Sequence, residues 1–423
     1  MSAPHFFYVT RLFSGLYESL ASGDWKPTGI PTVVRMVEAL SAKHAFTWVI
    51  ACRNEKESAV VGNAPARFTF GTLDIHVLPF RRLCGSGKVN LFYNDMVCIA
   101  RCLRLSRGAA CPVFYCDRSN VVTGGFMKRV MRRPAVIRIL GVYPDQKLLA
   151  ERLFYKLLSP LTFAMYKAPF DLAVCTQDGS GVEFFVDRLL NRKTPRELLL
   201  NGVEMDADIV PRAPEGRLAI LYVGKLSEEK GVLDLVEAAA RLKEVAPDFV
   251  VTILGKGPLQ PAIEARIKAD GLENHVRLAG SVPLATVREI QRQSDVYVSL
   301  NRFGNLSNTV LEAMAAGKCC VVLGRDEATH TDVYTDGAVP DGVVVRIDRR
   351  DVVGNLTARL RELVEDRARV TAHARNMIAF RSSFLWSWEE RTRHETDRLL
   401  AVARQACGGG RAHGGAASSG REG

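Results

Sequence analysis

Two lysines, Lys225 and Lys230, lie between the apolar run 218–223 and a helix-like stretch that begins near Gly231. At a strand-to-helix junction such cations stand beside the free amides of a helix N-terminus, and together they suit a doubly charged anion such as a diphosphate. A local reading competes: Ser227 caps the next helix and the charges face water. Gly224 opens this junction. The next one, Leu254-Gly255-Lys256-Gly257-Pro258, ends a strand with two glycines and starts a helix with proline. Gly257 would let a ligand approach the backbone, although a plain turn needs glycine equally. At a third junction Ser307, Asn308 and Thr309 precede a helix that carries Glu312. Open amides there suit phosphate, and a carboxylate can accept both hydroxyls of a ribose. Again a local reading competes, because Thr309-Val310-Leu311-Glu312 fits a capping box that would satisfy Glu312 within its own helix. Three such junctions in series point to a nucleotide-sugar site.

Strands must carry these junctions at their carboxyl ends. Apolar runs at 218–223, 248–254, 276–279, 295–300 and 319–323 alternate with helical patterns at 231–244, 258–270, 284–293 and 309–317, the rhythm of a parallel Rossmann-like sheet. Upstream, strands are predicted at 5–10, 46–51, 73–78, 112–116, 135–140, 171–175 and 197–200, with a long polar loop from Arg11 to Pro27 in the first βαβ unit. In that loop Gly29-Ile30-Pro31 introduces the first helix, and Gly29 suits either close approach to a ligand or an ordinary turn. Val210-Pro211-Arg212-Ala213-Pro214-Glu215-Gly216 breaks the rhythm and reads as a linker. The expected division is a first domain over 1–209, the linker 210–216, a second domain over 217–380, a terminal helix within 381–407, and a low-complexity disordered tail over 408–423.

A chain of 423 residues exceeds one compact core, and 47% hydrophobic residues with a mean hydropathy near zero fit a globular protein. The net charge of +11 favours an anionic partner. No basic leader precedes the first apolar run and no stretch of about 18 apolar residues occurs, so the reading is cytoplasmic. The ten cysteines form no CxxC pair; Cys98 and Cys102 stand one helical turn apart, and reduced, semi-buried thiols are expected throughout.

The phrases YVGKLSEEKG, ILGKGPL, VRLAGSVP, SDVYVSL and NTVLEAMAAGKCCVV resemble, in order and spacing, the donor domain of retaining glycosyltransferases of family 4. VIRILGVYP and LLLNGVEMD in the first half resemble the family more loosely. The resemblance implies an α/β protein of the GT-B fold: two Rossmann-like domains face each other across a cleft, and a C-terminal helix crosses back to the first domain. It also implies that Lys225 and Lys230 neutralise the donor diphosphate, that Glu312 binds the ribose, and that Ser307, Asn308 and Thr309 offer amides to the phosphates. Gly29, Gly224 and Gly257 would let the donor approach the backbone, and the acceptor would bind mainly to the first domain. Two departures stand out. Gly304 occupies the place of the family's first paired glutamate, eight positions before Glu312, and Gly141 occupies the place of its histidine. None of His5, His44 and His76 replaces that histidine, so no base is assigned. Asp117, Arg118 and Asn120 after a strand could point into the cleft, and Arg138 within a strand could be a buried ion-pair partner.

The function expected is transfer of a sugar, with retention, from a nucleotide diphosphate sugar to a glycan or lipid-linked acceptor in envelope, lipopolysaccharide or exopolysaccharide synthesis. Lysines and helix amides would stabilise the leaving diphosphate, with no metal and no further cofactor. The basic, apolar-interleaved segments 80–108 and 126–134 suggest contact with an anionic membrane surface, on the inner face of the plasma membrane, with a solvated basic helix face as the other reading. The competing functions are a catalytically degenerate GT-B subunit that binds a glycan or partner, and a nucleotide-sugar epimerase. Nucleic acid is not an expected partner, because no reading motif accompanies the basic residues.

Overall fold

The computed structural model of the chain describes residues 3–13, 15–143, 159–205, 209–211 and 213–408. The predicted tail from 409 onward and part of the linker lie outside these residues.

The chain folds as two parallel-sheet domains, the GT-B arrangement. The first sheet comprises β1 (His5–Thr10), β2 (Ala45–Ala51), β3 (Ala66–Phe70), β4 (Leu73–Leu78), β5 (Pro112–Asp117), β6 (Ala135–Ile139), β7 (Leu172–Thr176) and β8 (Arg196–Leu199). Its order is β3-β4-β2-β1-β5-β6-β7-β8, with only β3 antiparallel. Central strands such as β5 and β6 are buried along almost their whole length, which is why they read as continuous apolar runs instead of alternating ones. Apolar clusters cover both faces: Phe7, Val9 and Phe114 lie on one side, Tyr8, Trp48 and Tyr115 on the other.

After a two-residue strand, β9 (Gly202–Val203), the second sheet comprises β10 (Leu218–Val223), β11 (Phe249–Leu254), β12 (Val276–Gly280), β13 (Val296–Ser299), β14 (Cys319–Leu323) and β15 (Val344–Ile347). Its order is β12-β11-β10-β13-β14-β15, all parallel. In both sheets the strand order reverses next to the first strand, between β1 and β5 and between β10 and β13. Ligands bind outside the carboxyl ends of strands at such reversals, because the flanking loops diverge there and leave a crevice.

The C-terminal segment returns to the first domain. Helix Arg367–Phe384 ends at Leu385, β16 (Trp386–Ser387) pairs with β9, and helix Trp388–Gly408 packs on helix Pro31–Ser41. Leu399, Val402 and Ala403 enter the first domain's core. A fully buried ion triad locks the crossing. Glu395 accepts from Arg138 of β6 (2.6 Å), from Arg391 (2.6 Å) and from the Tyr115 hydroxyl of β5 (2.7 Å). Burial alone would raise the Glu395 carboxyl; the two guanidinium groups reverse this and hold it below the usual glutamate range.

Several expectations change. The loop predicted from Arg11 to Pro27 contains a short helix, Tyr17–Ser22. The edge strands β3 and β15 are additions, and the terminal helix predicted over 384–406 is broken at Leu385, whose backbone turns extended. Arg138 is the buried ion-pair partner. The cysteines are not all free: Cys111 and Cys407 form a disulfide that ties the start of β5 to the end of the crossing helix. The remaining eight are thiols, and Cys98 and Cys102 sit inside the first core with no metal-ligating neighbours among the described residues.

Candidate functional site

The crevice beside β10 and β13 holds the sequence-predicted donor residues. The loop after β10 runs through Gly224 and Lys225 to a single 3-10 turn, Glu228–Lys230, and then to Gly231 at φ 65°, which starts helix Val232–Val245. Gly231 is required: a Cβ there would lie 2.6 Å from the Cβ of Leu300, on the segment leaving β13. That contact, and the Arg302 amide donating to the Glu229 carbonyl (2.9 Å), set the two loops side by side. The Tyr222 hydroxyl donates to the carbonyls of Lys225 (3.3 Å) and Lys230 (3.4 Å) and fixes the loop from beneath. Ser227 caps no helix with its side chain, so that part of the local reading fails, while Lys225 and Glu228 do face water.

Lys225 is exposed and Lys230 half-buried, and among the described residues neither enters a salt bridge. Burial lowers the Lys230 ammonium below its ordinary value, partly offset by Glu229 and by Asp178 of the first domain, and Lys225 lowers it further. Two neighbouring cations with no salt bridge among the described residues form a site suited to an anion, although Glu229 and Asp178 lie within electrostatic reach of Lys230.

Helix Asn308–Ala315 starts at β13's carboxyl end with Ser307 as N-cap, and no side chain caps it. The amides of Ser307, Asn308 and Thr309 donate to no acceptor among the described residues, so three donors and the helix's positive end face the crevice. The Asn308 side chain accepts from Asn201 (2.5 Å), which orients the helix start against the strand leading to β9. The capping box does not form: Thr309 lies inside the helix, and Glu312 projects from the next turn. The Glu312 carboxylate lines a groove with Glu204, Arg288, Gln291, Ala315 and Ala316. Burial raises its pKa; Arg288 opposes this and Glu204 adds to it. Gly224 donates to the Leu254 carbonyl in the ladder, and Gly257 packs directly on the backbone of Leu226, so it has a packing duty between the two loops. Gly29, at φ 104°, precedes helix Pro31–Ser41 on the opposite domain.

What the sequence did not reveal is a first-domain loop, Gln177–Gly181, that follows β7 and docks into this crevice. The Leu306 amide donates to the Asp178 carbonyl (3.1 Å) and the Asp332 amide to the Gly179 carbonyl (2.7 Å). Tyr143 stacks on Phe303, and Phe184 on His330, both with ring centres 3.7 Å apart. The loop explains Gly304. That residue has φ 124°, and a Cβ would lie 2.5 Å from the Asp178 carbonyl oxygen and 2.6 Å from the Gly179 carbonyl carbon. A glutamate has no room there. Asp332 anchors the far side: it accepts from the Asn305 amide (2.7 Å) and side chain (2.8 Å) and pairs with Arg349 (3.0 Å), while burial pushes its carboxyl up to about 7.

In the first domain the crevice between β1 and β5 is lined by Tyr8, Thr10, Leu12, Ile30, Asp117 and Ser119. Asp117 accepts from the amides of Arg11 (3.0 Å) and Asn120 (3.1 Å), so two of the three candidates in this loop serve its own geometry. Arg118 lies over the Phe185 ring.

Residues 206–378 match the glycosyl transferases group 1 family. The match falls on the second domain and covers less than half of the chain. The chain is 32% identical over 172 residues to phosphatidyl-myo-inositol mannosyltransferase of Mycolicibacterium smegmatis, covering 39% of this chain and 42% of that protein. It is 29% identical over 169 residues to alpha-D-kanosaminyltransferase of Streptomyces kanamyceticus, covering 40% and 43%. The chain thus spans less than half the length of the curated relatives it matches. Over the whole chain the fold is similar to Anabaena HepE in complex with UDP (TM-score 0.64, 14% identity, 94% of this chain and 100% of that one). It is also similar to WaaG, a glycosyltransferase involved in lipopolysaccharide biosynthesis (TM-score 0.60, 14% identity, 96% and 100%). The group 1 domain therefore contributes Lys225, Lys230, Glu312 and the free amides, and the docked loop comes from the domain outside the match.

Proposed function

We propose that the protein is a retaining glycosyltransferase of family 4 that moves a sugar from a nucleotide diphosphate sugar to an acceptor hydroxyl. The observation that carries this reading is the convergence, at the β10/β13 reversal, of two lysines, three helix-start amides and the Glu312 carboxylate, of which the lysines and the carboxylate enter no salt bridge and the amides meet no acceptor among the described residues. As the bond from sugar to diphosphate breaks, charge grows on the leaving oxygens. Lys225, Lys230 and the amides of residues 307–309 stand ready to stabilise it without reorganisation. Glu312 accepts the ribose hydroxyls. These groups supply the charge stabilisation of the step from the protein alone, and the reading includes no metal or other cofactor.

The acceptor, a glycan or a lipid-linked glycan of envelope or exopolysaccharide assembly, enters from the first domain. In support, Leu83, Val89 and Phe92 are exposed beside Arg81, Arg82 and Lys88 at the start of helix Gly87–Ser106, on the side where the strands' carboxyl ends open into the cleft. Apolar anchors among cations suit an anionic membrane surface, and no helix of the described residues is long and apolar enough to cross a membrane. A peripheral, cytoplasmic-face enzyme follows from this reading.

The test is calorimetry with UDP, GDP and ADP and their sugar conjugates on the wild type, Lys230→Ala and Glu312→Ala. Selective binding of one nucleotide that both variants weaken supports the donor site, and binding of none by the wild type refutes it.

A further inference from the structure

The Asp178 carboxylate lies on the loop that joins the two domains at this crevice, and the donor reading leaves it unused. The Ser180 amide donates to its Oδ1 (3.0 Å), in a tight turn between Gly179 (φ 84°) and Gly181 (φ 78°). Its Oδ2 is turned toward Gly141, where a Cβ would lie 3.4 Å away. Among the described residues no Lys, Arg or His forms an ion pair with it, although Lys230 senses its charge across the gap. Residue 178 as a whole is partly exposed, while its carboxylate is closely surrounded by protein. Burial raises its pKa, the Ser180 hydrogen bonds counter this, and Glu183 adds to the rise.

A carboxylate in this place repels phosphate. It suits a neutral, polyhydroxylated group attached to a phosphate that Lys230 already holds, because hydroxyls are donors and an ionised carboxylate only accepts. The absence of a side chain at Gly141 leaves space beside the Asp178 Oδ2, whereas at Gly304 the docked loop's own backbone fills the place of a side chain. We infer that Asp178 touches the transferred sugar of the donor, accepting hydrogen bonds from its hydroxyls, so that the first domain completes the second domain's site. This assignment rests on the donor reading of the second domain. It also couples sugar recognition to closure. The same residue's carbonyl holds the Leu306 amide, so the carboxylate faces the donor only when the loop is docked on residues 304–306. A bare nucleoside diphosphate gains nothing from that docking, whereas its sugar conjugate does.

The experiment compares the wild type, Asp178→Asn and Lys230→Ala by calorimetry with UDP, GDP and ADP and with their glucose and mannose conjugates, alongside donor turnover and melting temperature. For Asp178→Asn the expected result is an unchanged melting temperature, bare-nucleotide affinity within about twofold, and conjugate affinity weakened about ten- to hundredfold, the loss of a hydrogen bond to a charged group. Lys230→Ala weakens bare nucleotide and conjugate alike. Asp178→Glu, which keeps the charge on a longer arm, recovers part of the conjugate affinity if the carboxylate itself is the contact, and recovers none if residue 178 only shapes the loop. Equal effects of Asp178→Asn on bare nucleotide and conjugate, or no effect on either, overturn the assignment while leaving the donor reading intact. Failure of the wild type to bind any nucleotide overturns both.

Discussion

The two strand-order reversals of this molecule are built alike and furnished differently. At β10/β13, among the described residues, the lysines enter no salt bridge although Glu229 and Asp178 lie within electrostatic reach of Lys230, the amides of residues 307–309 meet no acceptor, and Glu312 has no cation in salt-bridge reach. At β1/β5 the charged groups are partnered, although the buried Tyr8 hydroxyl and the Asn120 side-chain oxygen have no hydrogen-bond partner among the described residues. Arg11 pairs with Glu57, Asp117 takes the Arg11 and Asn120 amides, and the wall is largely apolar. A crevice with unsatisfied charge is committed to one kind of anion. A crevice that has settled its own charges can receive a neutral acceptor through shape and a few hydroxyl contacts, and its specificity is free to vary with side chains that do not hold the fold.

The harshest way to break that contrast is to remove the scaffold beneath the first crevice. Glu395→Ala leaves two buried guanidinium groups uncompensated, and denaturant unfolding should lose about 3–5 kcal/mol, whereas Glu312→Ala at the second crevice should leave stability nearly unchanged. The depressed Glu395 carboxyl contributes stability that is present above the unfolded glutamate pKa of about 4.3 and is lost as pH falls through its lower folded value. Acid unfolding should therefore flatten in the variant.

Next in size, Lys230→Ala should cut turnover by about two to three orders of magnitude, the scale seen when one preorganised stabilising group is lost. Asp117→Asn should instead move KM for the acceptor with donor affinity unchanged; a matching loss of donor affinity would mean the two crevices are not separate in role.

A smaller effect sharpens the chemistry of the second crevice. Glu312 must be ionised to accept ribose hydroxyls and Lys230 protonated to meet phosphate, and burial moves the first pKa up and the second down. Affinity for a nucleotide sugar should fall on the acid side at a pH above the ordinary glutamate value and on the alkaline side below the ordinary lysine value. Calorimetry across pH checks this, and Glu312→Gln should lose about tenfold in affinity and the acid limb with it.

The smallest change belongs to Arg11→Ala. Its partner Glu57 is largely covered but its own side chain is half exposed, so the pair should contribute less than about 1 kcal/mol. A larger loss in a thermal melt would show that the first crevice is stiffer than its exposure implies.

The second domain was legible in the sequence almost to the residue at β10 and β14, because fully buried parallel strands and amphipathic helices leave two distinct periods. β3 escaped because its antiparallel edge position leaves Arg67 and Thr69 exposed, and β15 because four residues carry too short a pattern. The candidate donor residues could be picked out because each sits at a strand-to-helix junction a few residues from its neighbours. Asp178 was not. Its meaning comes from contact with Gly304 and Leu306 in the other domain, and no local period records such a contact. The one local sign was Asp-Gly-Ser-Gly directly after an apolar strand, a turn with more glycine than a plain connection needs.

The crossing helix has a consequence for the order in which the molecule is made. The first domain's sheet is complete at Leu199, yet part of the core that covers it, Leu399, Val402 and Ala403, is synthesised only after the second domain, as is Glu395, the carboxylate that pairs with Arg138. At roughly 5–20 residues per second, the ribosome leaves that half-built domain waiting on the order of 10–40 s with an uncovered apolar face and an unpaired guanidinium. Over the same interval the second domain has all it needs to close its own core. The later half of the chain is thus the one equipped to fold first, and the earlier half folds to completion only on it.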